Sequence, residues 1–286
     1  MTPIQQMLLG AGGGKQIVTD NLELFYDFGK TSCYNNTENH TSPTSNRVLV
    51  NNLAKSAHSG WIFSLWPYGL NYNGPNQSSY YVTTQSGNGG YIRFNENMTS
   101  AGGGGANDFP ILHMQSSPFA GLGYGNWTLE FWYDYYKFSG RDQYIYLMRD
   151  SSDYQGALTV MFHAQTTGGL SRLQVQLFNQ YYNESTSAYN YGTHGWNGWD
   201  HLVISSISGT VKIYHNNVNT STTYRSHNYV EDWNPPDIFN SCALFDSHGP
   251  RRYTGKFAIY RIYKNKGLTA AEVEQNFEAE RGRFGV

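Results

Sequence analysis

Charge is scarce in this 286-residue chain: only 14% of residues are charged, and 19 Lys and Arg stand against 21 Asp and Glu for a net −2. No basic block exists to track a phosphate backbone, so nucleic-acid binding is not expected. Long apolar runs are also missing. Nothing reaches the eighteen residues that a membrane-crossing helix needs, so no membrane partner is expected. The apolar stretch Ile4 to Leu9 is too short for a signal-peptide core and has no basic residues ahead of it. Cysteine is limited to Cys33 and Cys242, too few for a disulfide framework, and their separation leaves both a bridge and two free thiols open. Strong helix formers are few. What fills the chain instead is Gly, Asn, Ser, Thr and Tyr, with 31 Gly and 24 Tyr, the residues of turns and strands. The composition predicts an all-β protein, and the length suits one large β-domain with a core of its own.

The closing stretch is the most fully specified. Lys256 to Tyr263 alternates, with Phe257, Ile259, Arg261 and Tyr263 on one face and Ala258, Tyr260 and Ile262 on the other, toward a core. Lys264 to Gly267 turns the chain. Thr269 is placed as a helix N-cap, Glu272 closes a capping box, and Leu268 can staple onto Val273. Val273 and Phe277 share a helix face, and Gly282 is placed to end the helix.

Upstream, Val18 to Phe28 alternates as a strand with Leu22, Leu24, Tyr26 and Phe28 on one face. Val48 to Leu53, Gly90 to Asn95, Asn126 to Tyr133, Tyr144 to Arg149, Ala157 to Phe162 and Leu173 to Phe178 read as further strand segments. Trp199 to Ser205 and Thr210 to Val218 form a hairpin around Ser208-Gly209. Two polar stretches, Ala101 to Asn107 and Asn179 to Asn197, read as loops at rims or tips. About a dozen strands separated by turn residues, with one late helix, indicate antiparallel sheets packed face to face. Ahead of them, Ile4, Met7, Leu8 and Leu9 are carried on a peptide joined through Gly10 to Gly14, which reads as a flexible docking arm. The expected organisation is an arm over residues 1–17 and a β-sandwich over residues 18–286.

The terminus from Leu268 to Gly285, LTAAEVEQNFEAERGRFG, resembles the close of concanavalin A-like, laminin G-like jelly-roll domains, especially those of tailed-phage virions. There, Leu-Thr/Ser-x-x-Glu-Val-x-Gln-Asn-Phe/Tyr precedes Arg-Gly-Arg-Phe/Tyr-Gly. The strands from Val18 and Asn126, and the Trp199–Val218 hairpin, are similar to the same family, and the leader IQQMLLGAGG resembles that of marine, cyanophage-type structural proteins. The resemblance implies a concanavalin A-like jelly-roll sandwich. It implies a virion protein, assembled in host cytoplasm as capsid decoration or as a tail fibre or appendage. Its partners would be other virion proteins and further copies of itself, and its cysteines would stay reduced.

Catalysis is not expected. Retaining glucanases of this fold place two carboxylates about 5 Å apart on one strand face. The best counterpart here, Glu130 and Asp134, has aromatics between and no third acid at the required step, and Glu130 stands where non-catalytic relatives also carry Glu. No cofactor or metal residue is assigned. Laminin G-like domains often hold calcium on rim loops, but the family's Asp is Asn95 here, and Asp108, Asp150, Asp153 and Asp246 form no dense pattern. The histidines, among them His113, His163, His194, His201, His215, His227 and His248, lack zinc spacing, and His201 reads as a packing residue. Surface recognition remains. Trp61, Trp66, Trp196, Trp199 and Trp233 fall in loop-rich segments, and Tyr181, Tyr182, Tyr189, Tyr191 and Trp196 form the densest aromatic stretch. Such rings suit either contacts with neighbouring subunits or stacking on host surface polysaccharide.

Overall fold

The computed structural model describes residues 15–34, 48–55, 60–64, 80–83, 90–94, 110–114, 125–135, 143–149, 156–164, 171–177, 189–190, 198–219, 242–244 and 255–286. In chain order the strands are β1 (Leu22–Asp27), β2 (Val48–Val50), β3 (Gly60–Ser64), β4 (Tyr80–Thr83), β5 (Tyr91–Phe94), β6 (Pro110–Met114), β7 (Trp127–Tyr135) and β8 (Gln143–Arg149). They continue as β9 (Gly156–Ala164), β10 (Ser171–Leu177), β11 (Tyr189–Asn190), β12 (Asp200–Ile207), β13 (Thr210–His215), β14 (Val218–Asn219), β15 (Cys242–Leu244) and β16 (Gly255–Lys264). Among the described residues one helix, α1 (Ala270–Phe284), follows β16. The docking-arm residues Ile4, Met7, Leu8 and Leu9 lie outside the described residues.

The strands form two antiparallel sheets of eight. The first runs β14-β13-β12-β7-β16-β5-β4, and β1 also pairs with β16. The second runs β11-β10-β9-β8-β15-β6-β3-β2. Strand β16 is the spine of the first sheet. One of its edges pairs with β7 from Gly255 to Lys264, and the other pairs with β5 at Gly255–Phe257 and with β1 at Ile259–Tyr263. The all-β class, the antiparallel sheets and the late helix agree with the sequence expectation, and the strands outnumber the dozen expected because several are only two or three residues long.

Both faces of this sheet's centre are buried. On one, Leu129, Phe131, Leu202, Ile204, Tyr260, Ile262, Leu24 and Tyr26 have no exposed surface. Phe131 and Tyr260 stack there at 5.0 Å. On the other, Trp132, Val203, Ile259 and Tyr263 pack with Leu268, Val273 and Phe284 of the terminal segment and with Ile17 and Val18. The helix covers this second face. Ile17, assigned by sequence to the arm, is part of this packing.

A bulge corrects the expected alternation of β16. Its register against β7 shifts between Phe257 and Ile259. Phe257 therefore meets Phe131 and Tyr260 on the inner face, while Ala258 joins the cluster under the helix. The unpaired residue of a bulge reverses the face of everything before it. A similar shift between Leu22 and Leu24 sends Leu22 to the helix side, away from Leu24 and Tyr26.

Turn chemistry sets the hairpins. Ser208 and Gly209, at φ 49° and 78°, close β12 onto β13, the left-handed pair that matches strand twist. Asn216 and Asn217, at φ 47° and 65°, make a second such turn into β14. Strand β13 therefore ends at His215 rather than running on to Val218. Tyr189, expected in a loop, lies in β11 opposite Leu173 at the edge of the second sheet.

Helix α1 has the expected start. Thr269 Oγ1 accepts from the Glu272 N–H, and Glu272 returns a bond to the Thr269 N–H at 2.9 Å. Leu268 and Val273 are both fully buried. Its end differs. Gly282 lies within the helix, and Gly285, left-handed at φ 74°, is the C-cap. Phe284 must reach Trp132, and their rings stack at 4.4 Å; stopping at Gly282 would leave that contact unmade. Gly282 is exposed, and a Cβ there would meet nothing within 4 Å. Gly282→Ala is therefore expected to raise stability by about 0.5–1 kcal/mol, read as a higher urea midpoint. A lower midpoint would mean that this turn is not helical in solution.

Candidate functional site

The helix-facing side of the first sheet carries polar residues where apolar ones would be expected, and they converge beneath α1. Glu130 projects from β7, His201 from β12, Arg261 and Tyr263 from β16, and Asn276 from the helix; none has exposed surface. Register explains the meeting, since Glu130 lies directly opposite Arg261 on one neighbouring strand and two residues, on the same face, from Trp132, the partner of His201 on the other.

Glu130 is the hub. Arg261 Nη1 donates to its Oε1 at 2.9 Å, and His201 Nε2 donates to the same oxygen at 2.8 Å. Asn276 Nδ2 donates to its Oε2 at 2.8 Å and also lies 2.9 Å from the Tyr263 hydroxyl. Asn276 Oδ1 accepts from the Val18 N–H at 2.7 Å, and Tyr263 OH donates to the Val18 carbonyl at 3.0 Å. The network thus binds Val18, the sheet and the terminal helix together. Arg261 reaches further to Glu280 and lies 4.7 Å over the Phe25 ring. Arg283 clamps Asp27 with two bonds, of 2.9 and 2.8 Å.

Burial pushes the Glu130 carboxyl up, but the Arg261 guanidinium, then the His201 and Asn276 hydrogen bonds, outweigh it and bring it down to about 2. The Tyr263 hydroxyl is pushed up by burial and by the Glu130 charge. A general acid needs the opposite environment, one that holds its proton near neutral pH. Glu130 is held as a carboxylate at neutral pH. Asp134, its partner in the carboxylate pair weighed above, is also buried and takes Lys256 Nζ at 2.7 Å. Three buried polar atoms of this centre, Trp132 Nε1, His201 Nδ1 and Arg261 Nε, have no hydrogen-bond partner among the described residues.

The expectation that Glu130 is structural agrees with this geometry. His201 does more than pack, because it also hydrogen-bonds the hub. Arg261, expected on the face away from the core, is instead fully buried. The one signal was a cation in the middle of an otherwise apolar alternation, which only a buried carboxylate can accommodate. Trp199 packs on Tyr91 and on Phe284 at the end of the helix, with centroid distances of 5.6 and 4.8 Å, and Trp61 lies in β3 opposite His113. Tyr181, Tyr182, Tyr191 and Trp196 lie outside the described residues, as do Asn95, Asp108, Asp150, Asp153 and Asp246. Among the described residues no group of three His, Cys, Asp or Glu could hold a metal ion. Cys33 is a free, buried thiol that burial pushes up; Cys242 lies in β15.

No family model matches the chain, and no curated protein matches it in sequence. In fold it is similar to the sialidase of Trypanosoma rangeli. The complex with 2-keto-3-deoxy-D-glycero-D-galacto-2,3-difluoro-nononic acid aligns at TM-score 0.54 and 11% identity over 95% of this chain and 34% of the sialidase. The complex with sialic acid aligns at 0.53 and 12%, over 97% and 37%. Domain 4 of a GH43 extracellular arabinanase from Geobacillus stearothermophilus, complexed with arabinotriose, aligns at 0.48 and 16%, over 90% and 98%. The chain spans about a third of the sialidase's length. At such identities the likeness to the sialidase shows a shared β fold alone.

Proposed function

We propose that this chain is a non-enzymatic structural protein of a tailed-phage particle, a capsid decoration or a tail fibre or appendage. Ile4, Met7, Leu8 and Leu9 seat its arm on another virion protein, and the β body projects outward in multiple copies. One observation carries the reading. Four polar letters of the terminal motif that resembles phage virion domains have a structural task here: Thr269 and Glu272 cap the helix, Asn276 binds Glu130, and Arg283 clamps Asp27. Residues of one motif that start a helix and tie it to its sheet are what a shared domain ending would retain. Deleting residues 1–14 tests the proposal. The truncated protein is expected to fold with an unchanged melting curve and to be missing from purified particles; incorporation at normal copy number would refute it.

A second reading is a carbohydrate-binding module that recognises host surface polysaccharide. It is favoured by the aromatic stretch Tyr181, Tyr182, Tyr189, Tyr191 and Trp196 and by fold similarity to proteins solved with bound sugars. Silence of the full chain on an array of host envelope glycans would remove it.

A further inference from the structure

Residues 15–18 belong to no strand or helix, yet they are held firmly against the terminal helix. Gln275 Nε2 donates to the Gln16 carbonyl at 2.7 Å. Val18 is held at both of its backbone polar groups, its N–H by Asn276 Oδ1 at 2.7 Å and its carbonyl by the Tyr263 hydroxyl at 3.0 Å. Ile17 and Val18 are 5% and 8% exposed and pack with Leu268, Val273 and Tyr263. Asn276 and Tyr263 have no exposed surface, and both reach Glu130. Lys15 and Gln16, immediately before, are exposed. The chain therefore passes from open to seated between Gln16 and Ile17, beside α1.

We propose that Gln16, Ile17 and Val18, seated on Gln275, Asn276 and Tyr263, are the fixed root of the docking arm, and that docking requires this seat to be closed. The inference rests on the virion-docking reading and names the side from which the arm is presented. Leu9 stands six residue steps before Lys15, a reach of about 20 Å at full extension. The groove of the virion partner that takes Leu9 therefore lies within that reach of the α1 side of the first sheet. A closed seat fixes three backbone residues before the partner is met, which lowers the entropy lost when the arm binds. It also carries a pull on the arm through Val18 into the buried Glu130 network.

The test reads the full chain in two ways. Trypsin cleavage after Lys15 requires Gln16, Ile17 and Val18 to leave their seat and enter the protease, so release of residues 1–15, followed by mass spectrometry, measures opening of the root. Each rate is divided by that of a synthetic peptide of residues 10–20 bearing the same residue at position 17. Ile17→Ser, which removes the buried side chain, is expected to release residues 1–15 at least tenfold faster than wild type, and Ile17→Leu within twofold of it. Purified particles read the function. At equal expression, Ile17→Ser should be incorporated at a tenth of the wild-type copy number or less, and Ile17→Leu normally. Should Ile17→Ser fail to fold, Ile17→Ala decides in its place, with release and incorporation each changed at least threefold. Wild-type release as fast as that of the synthetic peptide would show an open root and overturn the inference. Normal incorporation of a folded, fast-releasing variant would also overturn it, and would leave the docking reading standing if the chain without residues 1–14 is missing from particles. Normal incorporation of that deletion would overturn both.

Discussion

Replacing Glu130 by alanine is expected to lower the unfolding free energy by about 3–5 kcal/mol, the usual cost of removing one partner from a buried ion pair. The reason is what remains. Arg261 would keep a buried charge with Glu280 as its remaining carboxylate partner among the described residues, and His201 and Asn276 would lose their common acceptor. Glu130→Gln preserves shape and tests charge separately; it should recover part of the loss, because an amide oxygen can still accept from Arg261. Urea midpoints at pH 7 measure both variants, and a loss below about 1 kcal/mol in Glu130→Ala would show that the network is not formed in solution.

The same residue fixes an acid response. Its carboxyl titrates near 4.5 in the unfolded chain and at about 2 in the folded one. A lowered folded value means that its contribution is complete above about pH 4.5 and disappears as pH falls toward 2. Wild type should therefore lose stability steeply across that interval, and Glu130→Ala should lose distinctly less. Parallel acid curves for the two proteins would contradict the assignment.

Ending the chain at Lys264 has the second large effect. The deletion removes Leu268, Val273 and Phe284, each worth about 1.5–3 kcal/mol when buried, and uncovers Trp132, Ile259 and Tyr263. It also strips Asn276 from Glu130 and Arg283 from Asp27, leaving buried-type charges facing solvent across an apolar sheet. The sum is comparable to the whole stability of an ordinary domain. The truncated chain is expected to lack near-ultraviolet dichroism and to be cleaved rapidly by protease. A cooperative unfolding transition in it would show that the helix is an accessory rather than the cover of the sheet.

Much of this terminal unit was legible. Thr269 and Glu272 at the box spacing, followed by Val273 and Phe277 on one face, specify a helix start by local bonds alone, and the structure has that start. The Ser208-Gly209 hairpin was equally plain, because only a left-handed pair of residues closes a two-residue turn. The failures have a common cause. Gly282 is a sound stop signal locally, but stacking of Phe284 on Trp132 carries the helix one turn further to Gly285. The alternation of β16 assigns faces correctly from Ile259 onward but not at Phe257 and Ala258, which lie ahead of a bulge that no side chain announces. Alternation puts Arg261 on the face opposite the expected core, whereas Glu130, 131 positions away, holds it inside.

The sequence by itself determined the all-β class, the turn positions and the capped terminal helix, since each depends on residues within a few positions of one another. Only the tertiary structure decided that both faces of the first sheet are interior, that Glu130 is a buried anion with its carboxyl lowered to about 2, and that Val18 is seated on Asn276 and Tyr263. Those facts depend on strand register between distant segments, which is set by the packing of the whole body and is not encoded in any single window of the chain.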